Sequence, residues 1–527
     1  MPNRLFPAVA LAATALLVSP ARAAVDVVEA SIPDLQKAMA SGKTSSKAIT
    51  QAYLARIKSI DKAGPRINSV IIVNPDALAI AAALDKERKE KGPRGPLHGI
   101  PVLVKDNVAT GDKMPTTAGS LALKGVRATR DAFIVEKLRA AGAVILGKTN
   151  LSEWANIRST RSTSGWSAVG GLTRNPYALD RNTSGSSSGT GASIAASLAA
   201  AGIGTETDGS ITSPANANGL VGMKPTVGLV SRAGIVPISI TQDTAGPMGR
   251  TVTDAAILLT AIAGTDTADE TTRDASVRAV DYTNALDRNA LKGARIGVVR
   301  SNFGGRNDLV TAQIDKALEV MRQQGAILVD LPELPNAGKY GASEYEAFMF
   351  ELKAALPMYL SEYAPHAAVK TLADIIAFNE REAKRELKYF GQEHFLKSEA
   401  KGGLDSPEYQ QAIANNRKLS REEGIDKALR ENNLDALVAP SGSPAWLTDF
   451  VRGDFSGGGF SQPAAVAGYP HITVPAGFVK GLPCGISFVG TAWSDAKLLG
   501  LAYAYEQATK HRRAPKYPGT INDWAKD

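Results

Sequence analysis

The chain has 527 residues, of which 44% are hydrophobic and 21% charged, a composition typical of a globular protein with a large core. Its formal net charge of +8 comes from interspersed charges of both signs, as in residues 85–91, which is typical of solvated helix faces rather than a nucleic-acid-binding stripe. Cys484 is the only cysteine, so an intramolecular disulfide and a cysteine-based metal site are excluded. Its apolar, strand-like surroundings indicate a buried structural thiol.

Residues 1–23 have the pattern of a secretory signal peptide. Arg4 gives a basic start, an apolar run from Phe6 to Val18 follows, and Ala21-Arg-Ala23 fits an A-x-A cleavage site. The run is shorter than the ~20 residues that a membrane-spanning helix needs. We therefore expect a leader that is removed, and a soluble mature protein in the periplasm or outside the cell that has neither a membrane nor a nucleic acid as a partner.

Helices are predicted first along the mature chain. Ser31-Ile-Pro-Asp34 resembles a capping box with proline in the first turn, and Ser46 to about Ile60 has amphipathic spacing. Two stretches then have the order strand, helix, strand, which indicates parallel pairing. They are residues 100–105, 132–141 and 143–147, and residues 294–300, 312–324 and 326–330.

Helical patterns dominate residues 340–435, and strand patterns return at 434–440, 472–475 and 485–489. The predicted fold class is therefore α/β. We expect one large α/β/α sandwich with a mixed, mainly parallel central sheet over residues 24–527, in which residues 340–435 form a helical cap or flank.

A serine- and glycine-rich segment precedes an alanine-rich stretch, Ala192–Ala201, that is predicted as a helix. A flexible linker is the alternative interpretation, but the segment separates no domains. Gly185-Ser-Ser-Ser-Gly189 also matches the nucleophile elbow G-x-S-x-G, which would make Ser187 a nucleophile. That motif requires a preceding strand, whereas the residues before it read as turn and loop.

Several motifs in a fixed order resemble the amidase signature family over residues 30–520. They are Gly99–Asn107, residues 184–191, Gly204–Pro214, Gly219–Pro225 and Gly468–Pro475. Within the family, Lys148–Trp154 and Gly204–Ser210 look most like the bacterial peptide amidases, which remove the C-terminal amide from peptides.

The resemblance implies a Ser-Ser-Lys triad. Lys105 matches the lysine base, Ser186 the bridging serine and Ser210 the nucleophile, which lies 24 positions after Ser186. The resemblance also implies an oxyanion hole of backbone N–H groups, those of Thr207, Asp208, Gly209 and Ser210. It implies no metal and no organic cofactor.

These residue types suit amide hydrolysis. An amide needs an activated nucleophile, donors for the oxyanion and a proton for the departing nitrogen. Lysine is a base only when it is neutral, and Lys105 ends an apolar run where burial would lower its pKa. Ser186 could then relay the proton between Ser210 and Lys105. Glycine at 209 leaves room for backbone donors to converge.

Other residues near these motifs have less direct interpretations. Lys148 and Lys224 are competing lysines, and Lys224, which precedes a proline, is interpreted as structural. Glu206 is expected to support its loop by hydrogen bonds. Thr212 stands where some family members have an arginine for anionic substrates, which favours an uncharged substrate end such as a carboxamide.

The expected function is hydrolysis of C-terminal peptide amides to the free acid and ammonia, on a small-molecule or short-peptide substrate, through an acyl-serine intermediate. An aryl-acylamidase or a broad-specificity amidase and esterase is the alternative within the family. A periplasmic solute-binding protein is the alternative from another class. A glutaminyl-tRNA amidotransferase role shares the motifs, but the predicted leader argues against it.

Overall fold

A computed structural model describes residues 25–302, 307–455 and 457–526. The predicted signal peptide lies outside the described residues. No helix in the described ranges has the length and apolar character needed to cross a membrane.

An eleven-stranded sheet forms the centre of the molecule, in the order β1-β3-β2-β6-β8-β7-β12-β13-β11-β9-β10. A separate two-stranded ribbon pairs β4 with β5. The strands are β1 Val70–Val73, β2 Pro101–Lys105, β3 Val144–Thr149, β4 Trp166–Ser167, β5 Gly171–Leu172, β6 Ala201–Glu206, β7 Val221–Lys224, β8 Thr244–Gly249, β9 Arg295–Val299, β10 Ile327–Leu331, β11 Ala436–Pro440, β12 His471–Val479 and β13 Leu482–Val489.

Parallel pairing occurs in two outer groups of the sheet. Strand β2 pairs in parallel with β3 and β6, and β9 pairs in parallel with β10 and β11. Six of the ten neighbouring pairs in the described part of this eleven-stranded sheet are antiparallel, and most of them join the strands between the two groups. Both predicted strand-helix-strand units are present, so the prediction of an α/β fold around one large mixed sheet is confirmed. The expectation that parallel pairs would predominate holds only within the two outer groups, because the strands between them pair antiparallel.

The α-helices pack around this sheet. They are α1 Ile32–Ala40, α2 Ser46–Arg56, α3 Ala77–Lys91, α4 Phe133–Ala140, α5 Ser188–Ala195, α6 Thr212–Ala217, α7 Val252–Ile262, α8 Ala275–Arg278, α9 Asp308–Gln323, α10 Gly341–Tyr363, α11 Leu372–Arg381, α12 Ala383–Glu386, α13 Glu393–Glu399, α14 Pro407–Arg417, α15 Asp426–Glu431, α16 Gln462–Ala467 and α17 Asp495–Thr509. Short π-helical turns, Ile57–Asp61 and Lys418–Ile425, continue α2 and α14. The predicted capping box at Ser31 is present, because its side chain and that of Asp34 each accept a hydrogen bond from the other residue's backbone N–H.

The predicted helix over Ala192–Ala201 is wrong in its bounds. The helix α5 begins at Ser188 and ends at Ala195, and Ala201 already belongs to strand β6. Glycine in β6 allows this close packing, since a Cβ at Gly202 would lie 2.7 Å from Thr190 Cγ2 on α5. Cys484 is buried on β13, where burial raises the pKa of its thiol to about 12, in agreement with a structural thiol.

Candidate active site

Lys105 is the last residue of β2 and lies beside the turn that contains Ser186 and Ser187. Its Nζ donates a hydrogen bond to Ser186 Oγ at 2.7 Å and another to Thr205 Oγ1 at 2.9 Å. The side chain is fully buried. Burial lowers the pKa of Lys105 to about 7, against the opposing attraction of Asp243 and Glu206. A large share of the Lys105 amine is therefore neutral near neutral pH.

Ser187 is held as a structural residue. Its Oγ donates to the Thr205 carbonyl at 3.1 Å and accepts from the Thr205 backbone N–H at 3.2 Å. The side chain is fully buried, and the residues before it form no strand that could support a nucleophile elbow. These contacts favour Ser186 over Ser187 as the functional serine of the turn. The peptide bond between Gly185 and Ser186 is cis.

Ser210 lies in the turn between β6 and α6. Its carbonyl accepts a hydrogen bond from the Ser187 backbone N–H at 3.1 Å, so the two serine-bearing turns are in direct contact. Ser210 retains 8% exposure, whereas Ser186 and Ser187 have none. Among the three, it is therefore Ser210 that a substrate can reach from solvent.

The described residues show no hydrogen bond between the Ser186 and Ser210 hydroxyls. The structure thus joins Lys105 to Ser186 through side chains and Ser186 to Ser210 through the neighbouring backbone. Catalytic hydrogen bonds commonly tighten only when substrate is bound.

The turn that carries Ser210 presents backbone donors. Within the described part of the chain, the N–H groups of Asp208, Gly209 and Ser210 donate to no protein acceptor. Gly209 has a φ of +74°, in the left-handed region that favours glycine, and a Cβ there would lie 2.9 Å from Ser461 Oγ. Backbone N–H groups that lack a protein acceptor are the donors that an oxyanion hole requires.

Glu206 fixes the far side of the same turn. Its Oε2 accepts hydrogen bonds from the backbone N–H groups of Ile211 at 2.8 Å and Thr212 at 2.9 Å, and from Thr212 Oγ1 at 3.2 Å. The prediction that Glu206 supports the loop by hydrogen bonds is confirmed. Thr212 is buried and directs its hydroxyl to this carboxylate.

The competing lysines have other partners. Lys148 Nζ donates to the Val108 carbonyl at 2.9 Å and to Thr116 Oγ1, and Lys224 Nζ donates to the Pro225 carbonyl at 3.0 Å. Burial lowers the pKa of both to about 8. Neither is hydrogen-bonded to a predicted triad serine in the described structure, so the structural interpretation of Lys224 agrees with its contacts.

Several polar residues around the site were not predicted. Asn107 Nδ2 donates to Thr205 Oγ1 at 3.0 Å, the same oxygen that accepts from Lys105. Thr207 Oγ1 donates to Asp243 at 2.6 Å. Asn107 and Thr205 lie within the motifs that carry the family resemblance, whereas nothing in the local sequence marks Asp243. Its position follows from the pairing of β6 with β8.

Two carboxyl groups at the turn that carries Ser210 also have pKa values shifted from the ordinary ones. Burial raises the pKa of Asp208 to about 6 and, together with the charge of Asp208, raises the pKa of Glu344 to about 8. Glu344 belongs to α10, so the predicted helical flank contributes to this region. No group of three or more His, Cys, Asp or Glu side chains among the described residues could hold a metal ion.

A cavity of about 230 Å³ adjoins this region through Asp243. Its other walls are mostly apolar and include Pro237, Ile240, Met358 and Tyr359. A larger cavity of about 650 Å³ lies on the side of Trp446 and Phe455. Neither cavity is lined by Lys105, Ser186 or Ser210.

Known proteins share this fold and these motifs. A family model described as Amidase matches residues 48–499. The crystal structure of a peptide amidase from Stenotrophomonas maltophilia is 51% identical, with a TM-score of 0.88, and the match covers 93% of this chain and 99% of that one. A probable amidase of Arabidopsis thaliana is 44% identical over 501 residues, covering 93% of this chain and 92% of that protein. A glutamyl-tRNA(Gln) amidotransferase component from Halorhodospira halophila is 34% identical over 510 residues, covering 92% of this chain and 98% of that protein.

The mixed eleven-stranded sheet, the buried lysine and these likenesses define a hydrolase that acts on amides. The chain belongs to the amidase signature family. The alternative of a periplasmic solute-binding protein has no support from any of these observations.

Proposed function

We propose that this protein hydrolyses amides with Lys105, Ser186 and Ser210 as a catalytic triad. The observation that carries the proposal is the 2.7 Å contact between the fully buried Lys105 Nζ and Ser186 Oγ. A buried lysine with a pKa near 7 is a base that can hold and release a proton at physiological pH. The free backbone donors beside Ser210 supply the other requirement for acyl transfer.

The proposed reaction has two halves. Ser210 Oγ bonds to the amide carbon while its proton passes to Ser186 Oγ, whose own proton passes to neutral Lys105 Nζ. The negative charge on the carbonyl oxygen is stabilised by the N–H groups of Asp208, Gly209 and Ser210, with Thr207 as the fourth predicted donor. When the C–N bond breaks, the nitrogen takes a proton back along the same path and leaves. Water then hydrolyses the acyl-Ser210 ester by the same relay.

A fluorophosphonate probe tests the proposed nucleophile. Such a probe forms a covalent bond with an activated serine and needs no knowledge of the substrate. We expect a single adduct, located on Ser210 by peptide mass spectrometry. An adduct on Ser187, or the absence of labelling together with undiminished amide hydrolysis, would contradict the triad.

For the substrate, we infer a peptide that ends in a carboxamide, which is converted to the free acid and ammonia. The inference is supported by the 51% identity with the peptide amidase of S. maltophilia and by Thr212, which places no positive charge beside the site. A panel of peptide amides, free amino-acid amides, anilides and esters tests it. Peptide amides should have the highest kcat/KM, and a preference for anilides or esters would favour the aryl-acylamidase or broad-specificity alternative.

We also propose export to the periplasm or the medium, on the basis of the signal-peptide pattern in residues 1–23. Intact-mass analysis of the protein from the periplasmic fraction should give a chain that begins just after Ala23. An uncleaved leader on protein in the cytoplasm would contradict this proposal and would reopen the amidotransferase role.

A further inference from the structure

The peptide unit between Thr207 and Asp208 is held from one side by a single buried side chain. Gln242 Nε2 donates a hydrogen bond to the Thr207 carbonyl at 3.3 Å. Gln242 immediately precedes Asp243 and β8, and β8 pairs antiparallel with β6, so that Glu206 lies opposite Thr244. Continuing this register past the strand ends brings Gln242 and Asp243 alongside Thr207 and Asp208. The strand pairing thus places the side-chain amide of Gln242 beside the turn that carries Ser210.

The orientation of the Gln242 amide is fixed by its surroundings. The side chain is 1% exposed, and its Nε2 also donates to Glu344 Oε1 at 3.0 Å. Because the Thr207 carbonyl can only accept a hydrogen bond, the amide must present its NH₂ group, and not its oxygen, to this carbonyl. Glu344 is itself held, since its Oε2 accepts from Gln462 Nε2 at 2.7 Å.

This contact has a consequence for the proposed oxyanion hole. The Thr207–Asp208 peptide bond is trans, so its carbonyl and the Asp208 N–H point in opposite directions in one plane. A donor that fixes the Thr207 carbonyl therefore fixes the direction of the Asp208 N–H. That N–H has no acceptor among the described residues and lies two positions before Ser210.

We propose that Gln242 is a positioning residue for amide hydrolysis, which aims the Asp208 N–H at the oxyanion by holding the Thr207 carbonyl. This inference rests on the proposed acyl transfer at Ser210. Gln242 does not touch the reacting atoms. Its effect belongs to the transition state, because the charge that the N–H stabilises develops only there.

The test compares two glutamines that contact the same carboxyl group. Gln242→Leu removes the donor to Thr207, whereas Gln462→Leu removes a donor to Glu344 and leaves Thr207 untouched. For each mature protein we would measure kcat and KM on a peptide amide, and the inhibition constant of a peptide aldehyde, whose serine adduct carries the oxyanion. Gln242→Asn, whose side chain is one methylene shorter, replaces Gln242→Leu if that variant does not fold.

We expect Gln242→Leu to lower kcat by about 10- to 100-fold, and to weaken aldehyde binding by a similar factor, with KM within about threefold of wild type. Gln462→Leu should stay within about threefold in every measurement. An effect on KM alone, an unchanged kcat, or equal losses in the two variants would overturn the inference. Fluorophosphonate labelling of wild-type Ser210 separates this result from a failure of the triad, since labelling is lost only if the triad itself is wrong.

Discussion

Lys105 has the burial and the lowered pKa that the proposed mechanism needs in a base. An exposed lysine is protonated at neutral pH and has no lone pair to accept a proton. At the end of β2 the burial of the ammonium outweighs the attraction of Asp243 and Glu206, and the pKa falls to about 7. Because the side chain is buried away from water, the Lys105 amine forms hydrogen bonds with Ser186 and Thr205. These contacts hold the amine in a fixed orientation.

The pH dependence of kcat/KM should report this group. Because the neutral amine is the active form, kcat/KM should rise about tenfold per pH unit below pH 7 and level off above it. Lys105→Met keeps the aliphatic stem but removes the base, and should lower kcat by at least about a thousandfold. A wild-type profile that is flat between pH 5 and 9 would contradict the role of Lys105.

The serines of the two contacting turns should respond differently to alanine. Ser210→Ala should abolish turnover and fluorophosphonate labelling, and Ser186→Ala should also be severely impaired. Ser187→Ala should keep labelling and most of the activity, while losing about 1–3 kcal/mol of stability because Thr205 loses two hydrogen bonds. Labelling intensity and urea unfolding measure the two effects. The opposite ranking of Ser187 and Ser210 would support the nucleophile elbow.

At the level of elements, the sequence predicts most of the strands that have strong β composition, although not β1, and several helices that have clear periodicity. Both β-α-β units are predicted within a few residues, because apolar β-branched runs and amphipathic spacing agree there. Strand β6 is not predicted because Ala201–Glu206 contains two glycines and little β composition. Its small residues are explained by tertiary packing, since a Cβ at Gly204 would lie 2.8 Å from Ser187 Oγ.

Part of the candidate site, like part of the fold, can be predicted from the sequence. Lys105, Ser186 and Ser210 come from motifs whose order in the chain matches a family. Glu344 and Gln242 carry no such signal. Helix α10 begins 131 residues after Ser210 (341 − 210), and β8 lies beside the turn only through its pairing with β6. Contacts of that kind depend on the completed fold, which local pattern does not specify.

In the turn between β6 and α6, we expect Gly209 to be required for activity. Gly209→Ala should lower kcat, because the left-handed backbone disfavours a side chain and the new Cβ would press on Ser461 and shift the neighbouring N–H groups. Gly42→Ala is a matched control, since Gly42 has a similar φ of +70° and a Cβ there would have no contact within 4 Å. Both should lose about 1 kcal/mol of stability, and only Gly209→Ala should lose activity. Equal kcat values in the two variants would show that the turn tolerates a side chain.

Across the whole molecule, Arg512 connects segments that are far apart in the chain. Its guanidinium forms an ion pair with Glu29 at 2.8 Å and donates to the carbonyls of Ala195 and Gly219, at 2.8 and 2.9 Å. It also donates to Tyr177 Oη at 2.8 Å. This one side chain thus joins the first described residues, the end of α5, the segment before β7 and the region after α17.

Arg512→Ala should therefore lower the free energy of unfolding by about 3 kcal/mol, because Glu29 and two carbonyls lose a charged donor together. Arg513→Ala is the control, since it removes the same charge from an exposed neighbour, and should cost less than about 1 kcal/mol.

Although burial raises the pKa of Glu29, its hydrogen bonds to Arg512 and the charge of Arg512 hold this pKa below the usual value. The part that Glu29 contributes is present above its unfolded-state pKa and is lost as the pH falls through its lower folded-state value. The difference in urea unfolding between wild type and Arg512→Ala should therefore narrow in acid, to the part that the carbonyl hydrogen bonds contribute. Equal losses for the two arginine variants, or a difference that does not shrink below about pH 4, would show that the ion pair is not what joins these segments.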